Sequence, residues 1–172
     1  NLLVEHPEFD VLPSNLDMFN LEQDLIAAGW RVRERLQMVF EGLPEYDYVF
    51  VDAPPSLGPI NDNVLLATEN IAIPMAANEM SIDALVILLD QIETIENRFD
   101  TKISERAVFI SDVDYPLDNE QEDTIEWIKD NFESRTPVFE VRNRAAISRA
   151  LKSGSSIFGY EESCDQEDSY LS

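Results

Sequence analysis

Apolar and polar positions along the chain fall into blocks with two different periods. Tyr48-Val49-Phe50-Val51 is a continuous apolar run, not an alternating one. A strand buried on both faces reads this way, and such strands belong to parallel sheets covered by helices. Asn70-Ile71-Ala72-Ile73-Pro74 and Ala107-Val108-Phe109-Ile110 have the same character. Between them Ile82, Leu85, Leu89 and Ile92 repeat at helical spacing. That predicts a helix from about Ser81 to Arg98 with one buried stripe. Another helix is predicted near Asp118, with Gln121 as its capping-box partner and Ile125, Ile128 and Phe132 buried. Val138-Phe139-Glu140-Val141 predicts a short strand, and Ala145 to Lys152 a short helix ended by Gly154.

Toward the start, Phe9-Asp10-Val11-Leu12-Pro13 predicts a short strand stopped by proline. Ser14 or Asn15 then caps a predicted helix through Leu16, Phe19, Leu21 and Leu25, ended by Gly29. Arg31 to Phe40 predicts a second helix with Val32, Leu36, Val39 and Phe40 on one side, closed by Gly42 and Pro44. Strands alternate with helices throughout. The expected fold class is α/β, with a doubly wound, mainly parallel sheet and helices on both faces. Ligands in such sheets sit beyond the carboxyl ends of the strands. The residues just after each strand are therefore where chemistry is sought.

Composition narrows this picture. The 172 residues carry 35 acidic and 12 basic side chains, a net charge of −23 with His6 neutral. With 44% hydrophobic residues the chain can build a core, so the charge does not mark a disordered acidic coil. As a whole-molecule property it repels nucleic acid and anionic membrane. Acid excess with only three lysines is the composition of proteins from salt-loving microbes, where salt screens the self-repulsion. Cys164 is the single cysteine, so no internal disulfide forms, and an intracellular setting is expected. One His and one Cys exclude Cys/His zinc sites. No apolar run reaches the ~20 residues of a membrane span.

The richest chemistry follows the Tyr48–Val51 run: Asp52-Ala53-Pro54-Pro55-Ser56-Leu57-Gly58. Four apolar residues followed by Asp have the form of a Walker B strand, whose carboxylate orients Mg²⁺ or a Mg²⁺-bound water. Taken alone, an ordinary strand with a polar end fits better. The Pro-Pro-Ser-Leu-Gly sequence changes that balance, since two prolines stiffen the exit and Gly58 frees the backbone.

Tyr46 to Gly58 closely resembles the Walker B and switch II segment of ParA-type partition ATPases, in the deviant-Walker P-loop family. Ala53 stands where that family usually has Cys. Asp10-Val11-Leu12-Pro13-Ser14-Asn15 resembles the family's preceding strand and turn. Ile73-Pro74, Glu79, Ala84-Leu85 and Leu88-Leu89 resemble its next strand and long helix. Val141-Arg142-Asn143-Arg144, Arg149-Ala150 and Gly154 align with a stretch usually reading Ile-Pro-Arg-Asn, then Glu-Ala and Gly. Arg142 replaces the usual proline, and Arg149 the usual glutamate. The resemblance spans essentially the whole chain.

A P-loop of the form Gly-x-x-x-x-Gly-Lys-Ser/Thr is not found. Gly154 and Gly159 have the glycine spacing, but Tyr160-Glu161 follow. The family's P-loop lies N-terminal to its Walker B strand, and the chain starts at Asn1, not Met. The expectation is a fold incomplete at the N-terminus: residues 1–172 as the C-terminal portion of a single ParA-type domain, inactive alone. Ser163 to Ser172 then reads as the start of the family's last helix.

The resemblance implies ATP and Mg²⁺ as cofactors. Asp52 is the catalytic and metal-side residue, touching Mg²⁺ through water, and Pro54, Pro55, Ser56, Leu57 and Gly58 form switch II. It implies nucleotide contacts from Ser111, Asp112, Val141 and Arg142. For Ser111 an ordinary strand-end hydrogen bond fits at least as well. It also implies an ATP-dependent homodimer in the cytoplasm, associated with the nucleoid. That dimer binds DNA without sequence preference and is stimulated by a ParB-type centromere-binding partner, with no membrane contact. Arg135, Arg142, Arg144, Arg149 and Lys152 fall within eighteen positions. Arg142, Arg144, Arg149 and Lys152 are the expected DNA contacts, unless they pair with local acids such as Glu140. Two alternatives stay open: a MinD-like positioning ATPase and a non-catalytic partner-binding remnant. The acidic stretch from Glu161 to Asp168 argues against a basic membrane helix of the MinD kind.

Overall fold

The computed structural model describes residues 3–5, 9–14, 20, 23–25, 27 and 34–154. It divides into two units, Asn1–Thr68 and Glu69–Ser172.

In the first unit, β1 (Val4–Glu5) and β2 (Asp10–Val11) form an antiparallel pair with Val4 opposite Val11. The predicted strand at 9–12 is thus present but two residues long. Of the helix predicted from Ser14 to Gly29, Leu16, Phe19, Leu21 and Gly29 lie outside the described residues. Asn20, Gln23, Asp24, Leu25 and Ala27 are helical, and Leu25 is buried.

Helix α1 (Arg35–Phe40) is the described part of the second predicted helix, and Val32 lies outside it. It fully buries none of its residues, against the expected apolar side. Helix α2 (Pro59–Thr68) was not anticipated. Proline suits the first helical position, where its missing N–H costs nothing. The two helices are joined by Asn63. Its Oδ1 accepts the N–H groups of Arg35 (2.8 Å) and Leu36 (3.3 Å), and its Nδ2 donates to the Pro59 carbonyl (2.6 Å). The first N–H groups of any helix lack internal partners, and Glu34, preceding α1, supplies no side-chain cap. Asn63 does so from 27 and 28 residues away.

The Tyr48–Val51 run corrects the expectation of a doubly buried strand. Among the described residues no strand pairs with it. Phe50 is 92% exposed and Tyr48 80%, their rings stacked at 6.2 Å. An apolar run carries the capacity for burial, but the ladder partner that would satisfy its N–H and C=O groups must come from elsewhere.

The second unit follows the alternating pattern. β3 (Asn70–Ala76), α3 (Glu79–Phe99), β4 (Ser104–Val113), α4 (Asn119–Phe132), β5 (Val138–Arg142) and α5 (Ala145–Ser153) come in order. The sheet is parallel, with order β3-β4-β5. Ile73 and Met75 of β3 and Val108 and Ile110 of β4 point into one core. Leu85 of α3 and Ile125, Ile128 and Phe132 of α4 fill it. Each predicted core residue of α4 is therefore buried. In α3, Leu85 and Ile92 are buried while Ile82 and Leu89 are half-buried. Pro74, Phe109 and Phe139 stand at the intervening register positions. Pro74 is exposed, and the half-buried Phe109 and Phe139 rings stack at 5.3 Å, so these strands do not bury both sides equally.

Local caps set the helix ends. Asn78 accepts the N–H of Ser81 (2.9 Å), and Asp118 that of Gln121 (2.8 Å). The reciprocal half of the predicted capping box does not form. The Gln121 amide instead meets the Asp114 N–H (3.3 Å) and the Asp112 carbonyl (3.4 Å), bracing the end of β4. Gly154 ends α5 with φ +68°, a left-handed conformation that glycine adopts without strain.

Candidate functional site

Asp52 stands at the end of the extended run, exposed to solvent. Among the described residues its carboxylate has no hydrogen-bond or ion-pair partner. The loop from Pro54 to Gly58 then leads into α2. Asn61, in the first turn of α2, donates from Nδ2 to the Pro54 carbonyl (3.0 Å) and to the Ser56 carbonyl. The Gly58 carbonyl accepts the Asp62 N–H (2.9 Å), the first turn of the helix. Gly58 does not adopt a left-handed conformation: Gly154 is the glycine that does so among the described residues. The loop is therefore shaped by two prolines, one asparagine and a helix start.

This donor set suits magnesium. Mg²⁺ keeps several waters and takes one or two carboxylates plus phosphate oxygens, and does not need an all-protein cage. One free carboxylate on a stiff segment meets that requirement. No group of three or more His, Cys, Asp or Glu residues that could hold a metal occurs among the described residues.

The remaining expected site residues lie in the second unit. Ser111 is inside β4, not past it, and its Oγ donates to the Met75 carbonyl of β3 (3.1 Å). That is the strand-end hydrogen bond. Asp112 has φ +55° where the β4–β5 register shifts, and its carbonyl takes the Gln121 amide. Val141 is half-buried on β5, and Arg142 pairs in register with Val113. The Arg142 guanidinium lies 4.1 Å over the Tyr115 ring. Tyr115 Oη donates to Glu140 Oε2 (2.9 Å), and Lys129 Nζ bridges Glu140 Oε1 (2.6 Å). Burial alone would raise the Glu140 carboxyl. The hydrogen bonds from Lys129 and Tyr115, with the charges of Lys129 and Arg142, outweigh it and hold the group below its ordinary value. The bond to Glu140 in turn raises Lys129, outweighing its own partial burial.

The basic residues therefore differ. Arg135 is occupied, bridging Glu105 (3.5 Å) and covering the Phe132 ring at 4.8 Å. The acid expected to pair with arginine, Glu140, is bridged by Lys129. Arg144 is half-buried at the start of α5, while Arg149 and Lys152 are exposed three positions apart on that helix. That spacing places the two on one helix face.

Asn61 and Asn63 were missed by sequence reasoning. Pro59 directly after Gly58 was the available signal, because it marks a helix start that puts both asparagines in the first turns.

A family model described as an AAA domain matches residues 2–105. The sporulation initiation inhibitor protein Soj of Bacillus subtilis is 25% identical over 163 residues, covering 94% of this chain and 64% of Soj. The chromosome partitioning protein ParA of Caulobacter vibrioides is 22% identical over 170 residues, covering 97% and 63%. The cell division protein PomZ of Myxococcus xanthus is 31% identical over 90 residues, covering 52% and 28%. The chain thus spans less than two thirds of these relatives' length. Among solved structures, apo McdA of Cyanothece matches with TM-score 0.77 at 19% identity, covering 94% of this chain and 67% of McdA. The ATP complex of a single-residue variant of Cyanothece McdA matches at 0.75 and 21%, covering 88% and 60%. A Mycobacterium smegmatis cobyrinic acid a,c-diamide synthase with bound ATP analog and magnesium matches at 0.65 and 22%, covering 89% and 68%. These structures share the fold, the α/β arrangement of P-loop NTPases. With the family match covering more than half of its residues, the chain belongs to the AAA domain family, and it is similar to the partitioning proteins Soj and ParA.

Proposed function

We propose that this chain is part of an ATP-hydrolysing partition ATPase that uses Mg²⁺, dimerises with ATP and binds DNA non-specifically. The observation that carries the reading is the Asp52–Gly58 segment: an open carboxylate followed by a loop whose carbonyls are fastened to the next helix. Magnesium, when bound, neutralises charge on the phosphates. The exposed Asp52 carboxylate would hold that metal's hydration shell in place. The Pro54–Gly58 loop responds to the terminal phosphate and passes its position on to α2.

Nucleotide contacts from Ser111, Asp112, Val141 and Arg142 remain part of this reading, with Ser111 contributing little because its hydroxyl is already engaged. Arg142, Arg144, Arg149 and Lys152 contact DNA phosphates, with a ParB-type protein stimulating hydrolysis and release. The protein works in the cytoplasm on the nucleoid. No helix among the described residues is long and apolar enough to cross a membrane. The similarity to PomZ favours a second reading, a MinD-like ATPase that positions division machinery, with the same chemistry at Asp52.

The test uses the whole protein. Asp52→Asn should lower ATP turnover by about 10²–10³-fold, the usual cost of losing one placed charge; unchanged turnover would refute the assignment. In the same preparation Arg144→Ala with Lys152→Ala should weaken duplex retention and flatten its salt dependence by about one slope unit per lost contact. The net charge of −23 is an adaptation to high internal salt. The melting temperature should then rise as KCl is raised from low to molar concentration, and a flat response would remove that reading.

A further inference from the structure

Asn61 is held in an unequal way. Its two N–H donors are spent on the Pro54 and Ser56 carbonyls, while its Oδ1 is buried and meets no donor among the described residues. A buried acceptor without a donor is costly, so a residue chosen for packing would not leave one. The donors are what the position requires.

Their effect on the loop follows from peptide geometry. In a trans peptide the C=O and the next N–H point in opposite directions. Drawing the Ser56 carbonyl toward α2 turns the Leu57 N–H away from α2. That N–H has no hydrogen-bond partner among the described residues. The Pro54 carbonyl is followed by Pro55, which has no N–H to direct. Asn61 thus fixes two peptide planes and aims a single donor.

We infer that Asn61 is a positioning residue for the switch loop, holding its carbonyls against α2 so that the Leu57 N–H addresses the terminal phosphate of a nucleoside triphosphate. The inference rests on the ATPase reading of Asp52. It makes Asn61 specific for the triphosphate, because a diphosphate lacks the group addressed.

The test is equilibrium binding of a fluorescent non-hydrolysable ATP analogue and of fluorescent ADP, each with Mg²⁺, to the whole protein. Wild type should prefer the triphosphate. Asn61→Ala, and Asn61→Asp, which keeps the size but removes both donors, should each lose about tenfold in triphosphate affinity, the worth of two hydrogen bonds. ADP affinity should stay put, and Asn61→Gln should recover part of the loss. Equal loss for both nucleotides would make the residue merely structural and overturn the inference. So would an unchanged preference in both variants. Wild type that binds neither nucleotide would instead bring down the ATPase reading, and this inference with it.

Discussion

Residues 69–172 and residues 1–68 use their apolar side chains in opposite ways. In the second unit, sheet strands and two amphipathic helices enclose Val108, Ile110, Ile128 and Phe132 almost completely. In the first unit, Tyr48, Val49 and Phe50 face solvent beside the motif with the most specific chemistry. Its order comes from polar contacts: Asn63 capping α1, Asn61 fastening the loop, and Tyr46 donating to Asp10 (2.7 Å). Packing follows from a periodic pattern that finds partners nearby. Holding the loop after Asp52 needs only prolines and a few directed hydrogen bonds, so its shape survives where little is buried.

The largest test of this contrast is a pair of aromatic truncations. Phe132→Ala removes a ring that is 1% exposed and should cost about 3–5 kcal/mol in urea unfolding. Phe50→Ala should change stability by no more than about 0.5 kcal/mol, as expected for an exposed side chain. Similar losses at the two sites would show that Phe50 is buried in solution and break the comparison.

A smaller effect sharpens it. Asn63→Ala leaves the Arg35 and Leu36 N–H groups of α1 and the Pro59 carbonyl without their partner, and should cost about 1–3 kcal/mol. Asp118→Ala removes an ordinary local cap from α4 and should cost about 1 kcal/mol. Hydrogen exchange separates the two: losing Asn63 should open the start of α1, whereas losing Asp118 should fray only the first turn of α4. Equal, local fraying in both would mean that Asn63 does not join α1 to α2.

What was legible in the sequence follows the same division. Each element from β3 to α5 is written in local terms: an apolar run, a 3.6-residue stripe, Asp118 at one end, Gly154 at the other. Asp52 to Gly58 stood out in the same way, through residue type and spacing over seven positions, and its role belongs to the proposed function. Long-range partners were not legible. The exposure of Tyr48 to Val51 depends on a strand that the run itself cannot specify. Ser111 bonds a carbonyl 36 residues away, and Lys129 bridges Glu140 from the preceding helix. Asparagine inside a helix carries no strong local signal, so Asn61 and Asn63 were seen only once α2 was in view.

The smallest effect compares one charged contact from each unit. Glu140 sits below its ordinary value, so it binds fewer protons folded than unfolded at mildly acid pH. Its contribution is present above about pH 4.5 and is lost as pH falls through its depressed value. Lys129, raised, contributes below about pH 10.5 and loses that contribution as pH rises through its elevated value. The Lys129 side chain is 39% exposed, so solvent screening keeps the pair to about 0.5–1 kcal/mol. Tyr46 is also raised above 10.0, first by its hydrogen bond to Asp10, but at an exposed site. In molar KCl the Tyr46 shift should shrink by the part due to the charges of Asp10 and Glu5, while Glu140, more shielded and held by two hydrogen bonds, should keep more of its own. Side-chain NMR titration in low and high salt measures both. In Lys129→Met, Glu140 should titrate higher than in wild type, because burial remains after the bridging cation is gone. A Glu140 titration unmoved by that change would mean that Tyr115 and Arg142 hold the carboxylate without Lys129.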